Sequence, residues 1–169
     1  MLTGPQRMRE VLKRQEGLSL KAYPDAGGWA IGRGHNFTRG IPNEATGTVE
    51  YRPIEEMDKR MEISPEFAER LFEMDIDMAV EDLLRVFGKG YISGFDPTCY
   101  ARCAALIILM FNLGATRFLG FREMIMHVRA GRWAMAAQEV IDSKAGRESP
   151  SRYRELAVML GKAKWELYD

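Results

Sequence analysis

The sequence has little cysteine and histidine and no excess of charge of either sign. Its 169 residues include two cysteines and two histidines, and 24 lysines and arginines balance 24 acidic residues, for zero formal net charge. A neutral chain has no overall field that would draw it to nucleic acid or anionic lipid, so we expect neither as a partner. Cys99 and Cys103 lie four residues apart in a strongly helical segment, which favours two reduced thiols over a disulfide.

Long apolar runs and the commonest catalytic motifs are also missing. The first residues, MLTGPQRMREVLKRQE, are charged throughout and lack a run of signal-peptide length, which predicts a protein made and folded in the cytoplasm. The most apolar segment, 104–113, is a core helix by its length, so we expect no membrane insertion. No CxxC, HExxH, Walker or nucleophile-elbow motif occurs, and we therefore expect neither a metal ion nor a cofactor.

What is present predicts a packed protein with a β-rich segment near its N-terminus. The chain is 46% hydrophobic and long enough to bury a core without metal or disulfide staples. Thr3 and Gln6 match a helix-capping box, and Gly17 can end that helix just after Glu16. From Leu18 to about Arg52, alternating residues and repeated glycines indicate a small antiparallel sheet.

Helices are predicted for the rest of the chain. Ser64 and Pro65 start a helix of about 24 residues, long enough to bridge two lobes. Asp96 and Pro97 start an apolar helix over 99–113 that Gly114 closes. Amphipathic helices follow at about 121–130, 132–143 and 151–168.

We therefore predict an α+β, mostly α, two-lobed fold in which a long helix joins a small N-terminal antiparallel β lobe to a C-terminal helical lobe. We predict a single domain over 1–169, because the sequence contains no internal repeat and no recognisable linker, and we expect a monomer. The predicted N-terminal helix, 1–17, packs with the C-terminal lobe. It is followed by the β-rich lobe at 18–62, the interlobe helix at 63–87 and the helical lobe at 88–169.

Two carboxylates stand out in the stretch EGLSLKAYPDAGGWAIGRGH. Glu16 sits at a helix end, and Asp25 follows a strand at a glycine-rich turn, so the strand can fold back and set the two acids across a cleft. Glycosidic cleavage needs one protonated acid and one ionised partner. Spacing alone is weak evidence for a catalytic pair, because a Glu and an Asp nine residues apart occur by chance on many protein surfaces.

The same stretch resembles the signature of phage-type lysozymes, the T-even phage muramidase and endolysin family. That signature is E-G-x-x-L-x-x-Y-x-D followed by T-I-G-x-G-H, and the residues that match it here are Glu16, Gly17, Leu20, Tyr23, Asp25, Ile31, Gly32, Gly34 and His35. The segments ISPEFAERLFEMDIDMAV, AALIILMFNLG, GRWAMAA and SPSR are similar to the family's later helices. The likeness therefore covers nearly the whole chain in order and is loosest over 36–61.

The resemblance implies a lysozyme-like fold and a glycosidase that hydrolyses the β-1,4 bond between N-acetylmuramic acid and N-acetylglucosamine of bacterial peptidoglycan. It implies that Glu16 is the general acid and that Asp25 is the partner carboxylate, with Arg152 as the arginine that pairs with the glutamate. The alternative for Arg152 is an ordinary surface charge. The implied setting is phage-type host lysis, with the enzyme waiting in the host cytoplasm until the membrane is permeabilised.

Other site residues also follow from the resemblance. His35 and Asp75 match a structural pair between the small lobe and the long helix, the alternative being His35 as a catalytic base. Phe111 and Asn112 are expected to bind substrate, with a core-helix role equally open. Trp29 is a third substrate-binding candidate, chosen for its place in the turn beside Asp25 and not from the resemblance.

The sequence departs from the family pattern at the active-site turn. Ala30 replaces the family's threonine and lies five residues after Asp25, where the family has six. That threonine helps to hold the attacking water, so its loss leaves water delivery in doubt. We therefore keep two alternatives open: a lysozyme-fold module that binds peptidoglycan or a partner with weak or no turnover, and a transglycosylase.

Overall fold

The computed structural model describes residues 2–25, 28–50, 60–89 and 100–165. The chain forms two compact units, a small unit over Leu12–Asp77 and a large unit made of Met1–Val11 and Met78–Asp169. The α+β, mostly α fold predicted from the sequence is confirmed. The finer lobe boundaries given above stay predictions.

The secondary structure is mainly helical, with five short strands in the described part of the chain. The helices are α1 Gly4–Glu16, α2 Pro65–Phe87, α3 Tyr100–Leu119, α4 Arg122–Arg129, α5 Trp133–Asp142, α6 Lys144–Glu148 and α7 Pro150–Lys162. The strands are β1 Ser19–Asp25, β2 Gly28–Gly32, β3 His35–Asn36, β4 Ile41–Asn43 and β5 Thr48–Glu50.

The first two helices begin and end where their capping residues predict. The Gln6 backbone N–H donates to Thr3 Oγ1 at 3.4 Å, and the Thr3 N–H donates to Gln6 Oε1 at 2.8 Å, which completes the predicted capping box. Gly17 follows α1 with φ +66°, a conformation that favours glycine. Ser64 Oγ accepts from the Phe67 N–H at 3.1 Å and caps α2.

The small unit holds the antiparallel sheet β1–β2–β3 and a separate hairpin, β4–β5. Within the sheet Ala30 of β2 lies opposite Tyr23 of β1 and Asn36 of β3. Buried apolar side chains from the sheet, the hairpin, α2 and the segments beside them form the core of this unit, namely Ile31, Phe37, Ile41, Ile63, Phe67, Ala68 and Leu71.

The core of the large unit includes α3, on which α7 packs. Leu106, Ile108 and Leu109 are fully buried, as expected of an element that is apolar on nearly all sides. Instead of stopping at Gly114, the helix kinks there (φ 69°, ψ 161°) and continues to Leu119. It is therefore long and apolar enough to cross a membrane, but 56% of its most apolar window is buried inside the protein. The predicted start at Asp96 and Pro97 lies outside the described residues.

The C-terminal helices differ from the prediction in two places. The sequence reasoning missed α6, although Ser143 caps it by accepting from the Gly146 N–H at 2.9 Å. The last helix ends at Lys162 rather than near 168, because Ala163 adopts a left-handed conformation with φ 56°. A non-glycine residue in that conformation carries no distinctive sequence signal.

Candidate active site

Glu16 is the last residue of α1, and its carboxylate lies against the turn between β2 and β3. Its Oε1 atom is buried. A Cβ placed on Gly34 would lie only 3.0 Å from Glu16 Oε2, and Gly34 has φ +81°. Both observations call for glycine at this position, because the approach is close and the backbone is left-handed. The glycine of the sequence motif therefore makes room for the glutamate.

Asp25 is the last residue of β1 and is exposed, unlike the half-buried Glu16. It lies opposite Gly28 at the end of the hairpin. The two residues between them, 26 and 27, are outside the described residues. The structure thus gives the two acids different surroundings, one shielded at a helix end and one in water at a strand end.

The pKa of Tyr23 is affected by both carboxylates. Burial is the largest cause that raises the pKa of its phenol, and the negative charges of Asp25 and then Glu16 raise it further. Asp25 and Glu16 are therefore both close enough to Tyr23 to act on its charge. In the sequence Tyr23 is a position of the motif, and its spacing of two residues before Asp25 is the signal that could have marked it as a site residue.

Ala30 faces the same side of the sheet as Tyr23, because residues directly opposite in an antiparallel pair share a face. Its side chain is fully buried. Asn36, opposite Ala30 on the other side, is half-buried. The position at which the family carries a threonine hydroxyl thus holds a methyl group on the face that carries Tyr23.

His35 and Asp75 are brought together inside the small unit. His35 Nδ1 lies 3.0 Å from both Asp75 carboxylate oxygens, and Nε2 lies 2.9 Å from the Gly40 carbonyl oxygen. Arg39 Nη1 adds a third contact at 3.3 Å from Asp75 Oδ1. Both His35 and Asp75 are 1% exposed, so the pair is shielded from solvent. Sequence reasoning missed Arg39, which carried no pattern that linked it to a residue so distant in the chain.

The remaining predicted residues lie elsewhere. Trp29 is half-buried against the small-unit core. Phe111 is buried in α3, and both side-chain polar atoms of its neighbour Asn112 are buried without a hydrogen-bond partner among the residues that the structure describes. Arg152 is half-buried on α7. The last three belong to the large unit, and the site roles of all four stay predictions.

No cluster of three or more His, Cys, Asp or Glu side chains that could hold a metal ion occurs within the described ranges. A shielded acid and an exposed acid, here Glu16 and Asp25, can together support proton transfer.

Comparison with known proteins gives a consistent result. The family model described as Phage lysozyme matches residues 13–151. Two relatives from Dictyostelium discoideum, named Probable T4-type lysozyme 2 and Probable T4-type lysozyme 1, are each 28% identical over 151 residues, covering 86% of this chain and 88% of each relative. The matched range contains Glu16, Asp25, His35 and Asp75.

Proposed function

The chain belongs to the phage lysozyme family, and on that premise we propose that it hydrolyses the β-1,4 bond between N-acetylmuramic acid and N-acetylglucosamine. At family level it is a muramidase-type peptidoglycan hydrolase. We also propose that it acts in phage-type lysis, on a wall reached after the membrane has been permeabilised. The observation that carries the proposed chemistry is the contrast between the surroundings of Glu16 and Asp25.

Glu16 is the proposed general acid, which protonates the glycosidic oxygen as the bond breaks. A proton donor must hold its proton near neutral pH, and burial disfavours the charged form of a carboxyl group. The buried Oε1 atom, and the place of Oε2 where a Cβ on Gly34 would meet it, supply such a setting.

Asp25 is the proposed partner carboxylate, which acts on water or stabilises the oxocarbenium-like transition state. This role needs an ionised group, and an exposed position keeps the charge solvated. The electrostatic effect of both acids on Tyr23 supports placing them at one site.

A second candidate function is a peptidoglycan-binding module with weak or no turnover. The observation that favours it is the methyl group of Ala30 on the Tyr23 face, where the family has a hydroxyl that helps to hold water. Such a module would bind insoluble peptidoglycan and release little or no sugar.

The deciding experiment measures release of soluble fragments from purified peptidoglycan and clearing of permeabilised Gram-negative cells. Glu16→Gln should lose at least about 100-fold of the wild-type rate, the lower end for general acid catalysis. Glu10→Gln, which changes an exposed glutamate of the same helix, is the matched control and should retain the rate. Equal rates for wild type and Glu16→Gln would overturn the enzymatic proposal.

The products separate the alternatives. Hydrolysis leaves a reducing sugar end, whereas a transglycosylase leaves an anhydro end that is lighter by one water in mass spectrometry. Binding to insoluble peptidoglycan without released fragments would instead establish the binding module.

A further inference from the structure

Arg33 lies in the same turn as Gly34, and its side chain ties that turn to the end of α1. Its Nη1 donates a 2.9 Å hydrogen bond to the Gly17 carbonyl oxygen, immediately after Glu16. In the family motif G-x-G-H this position is variable, so the motif assigns it no role. The guanidinium is also placed near the carbonyl end of a helix, where a positive charge is favourable.

The guanidinium is itself held from α2. Arg33 Nε and Nη2 donate to Glu69 Oε1 at 2.9 and 2.8 Å, and Lys13 Nζ lies 2.6 Å from Glu69 Oε2. Arg33 Cζ also lies 5.9 Å from the Phe72 ring centroid, within cation–π range. The Arg33 side chain is only 15% exposed. It is therefore fixed by a carboxylate, an aromatic ring and a backbone carbonyl together.

Glu69 responds to this arrangement electrostatically. Hydrogen bonding to Lys13 is the largest cause that lowers the pKa of its carboxyl, and hydrogen bonding to Arg33 acts in the same direction. Glu69 thus stays ionised and can hold both cations near neutral pH. Charge-assisted bonds of this kind are stronger than neutral ones, and a guanidinium is well suited to bridging several acceptors.

From these contacts we infer that Arg33 is a positioning residue for Glu16. The turn borders the glutamate in two places: Gly34 leaves room for its carboxylate, and Arg33 binds the backbone just beyond it. Without the guanidinium, the end of α1 loses this tie to the turn, and the place of the Glu16 carboxylate is less firmly set. The inference rests on the proposed function, because it assigns Glu16 as the acid that needs positioning.

The test is Arg33→Met, which keeps an unbranched apolar side chain beside Phe72 and removes the hydrogen bonds. With soluble glycan fragments as substrate, we expect kcat to fall by about 10- to 100-fold while KM changes little, since misplacing a catalytic group affects the chemical step. Arg33→Lys should recover part of kcat, because an ammonium can restore some of the contacts. The matched control is Arg70→Met, which removes an α2 arginine that lies 5.2 Å from the Phe67 ring centroid.

Amide hydrogen exchange provides a measurement that does not depend on activity. The Gly17 N–H, which donates to the Lys13 carbonyl oxygen at 3.2 Å, should exchange faster in Arg33→Met than in wild type or Arg70→Met. If Arg33→Met does not fold, Glu69→Gln weakens the same tie and should give a smaller fall of kcat with faster Gly17 exchange.

The inference would be overturned by kcat values that match those of Arg70→Met, or by a loss that lies wholly in KM. Unchanged Gly17 exchange in a variant with reduced kcat would also exclude positioning through the helix end. An inactive wild type would overturn the proposed function and with it the catalytic role of Arg33, while the exchange data would still decide whether Arg33 fixes the end of α1.

Discussion

The His35–Asp75 pair gives the sharpest stability prediction, for the change Asp75→Asn. The carboxylate is 1% exposed and is contacted by His35 Nδ1 at 3.0 Å and Arg39 Nη1 at 3.3 Å. Asparagine has nearly the same shape and keeps one oxygen acceptor. The change therefore removes the negative charge while leaving the packing almost intact, so any loss of stability reports on the charge.

The expected loss follows from the burial of both partners. The buried Asp75 carboxylate is paired with the Arg39 guanidinium, and removing one member of a buried ion pair costs about 3–5 kcal/mol, because the other is left without compensation. Arg39 keeps 21% of its side chain exposed and can turn toward water, and asparagine still accepts one hydrogen bond. We therefore expect about 3 kcal/mol, the lower end of that range. For a protein of this size this corresponds to a fall in Tm of roughly 6–12 °C.

Urea unfolding followed by circular dichroism measures the free energy of unfolding, and an unchanged m-value would show that the unfolding reaction is the same. Glu81→Gln is the control, since its 3.4 Å pair with Arg85 is exposed on both sides. That pair should be worth less than about 1 kcal/mol. Activity at 20 °C per mole of folded protein should survive Asp75→Asn, because the pair is assigned a structural role.

A loss for Asp75→Asn no larger than that for Glu81→Gln would refute the reasoning. It would mean that the desolvation of the buried pair offsets its attraction almost completely. Loss of activity in a stably folded His35→Asn variant would instead revive the reading of His35 as a catalytic base.

Three further predictions concern single groups. The pKa of the Tyr23 phenol, followed by NMR with ring-labelled tyrosine, should fall in both Glu16→Gln and Asp25→Asn, because each change removes a negative charge that raises it. An unchanged pKa would show that the carboxylates lie too far from the phenol to affect it. Burial raises the pKa of the Cys103 thiol from 9.0 to about 11, so the contribution of this thiol to the free energy of unfolding should be fully present below pH 9 and be lost toward pH 11. The decline of the free energy of unfolding over this range should be smaller in Cys103→Ala. Gly34→Ala should lower both Tm and kcat, since the added Cβ meets Glu16 Oε2 at 3.0 Å with φ +81°, and wild-type values would contradict that geometry.

Local features of the fold could be predicted because their signals are local. The Thr3–Gln6 box and the Ser64 cap lie within three residues of the groups that they satisfy, and the structure contains both. The glycine-rich hairpins were likewise predicted from turn chemistry. The continuation of α3 beyond Gly114 was not, because glycine stops many helices and only packing decides whether the chain resumes the helix.

The candidate site divides in the same way. Glu16, Asp25 and the glycine turn could be selected as a motif in one stretch of sequence. The contact between Arg33 and Glu69 joins residues 36 apart and depends on how α2 lies on the turn. No period or spacing in the sequence encodes such a contact, so it emerges only from three-dimensional structure.

The different surroundings of the two acids also indicate which step of the proposed reaction Ala30 affects. The proposed proton donation depends on the surroundings of Glu16, in which Gly34 leaves room for the carboxylate and Arg33 binds the backbone just beyond it. Ala30 instead shares the sheet face of Tyr23, whose pKa is raised first by burial, then by Asp25 and then by Glu16. With Asp25 in its proposed role, we therefore expect a missing hydroxyl there to act first on water and on the Asp25 side of the reaction. We therefore expect a weakened enzyme to cleave the bond but to add water poorly. The ratio of reducing to anhydro ends among the products measures this water addition directly.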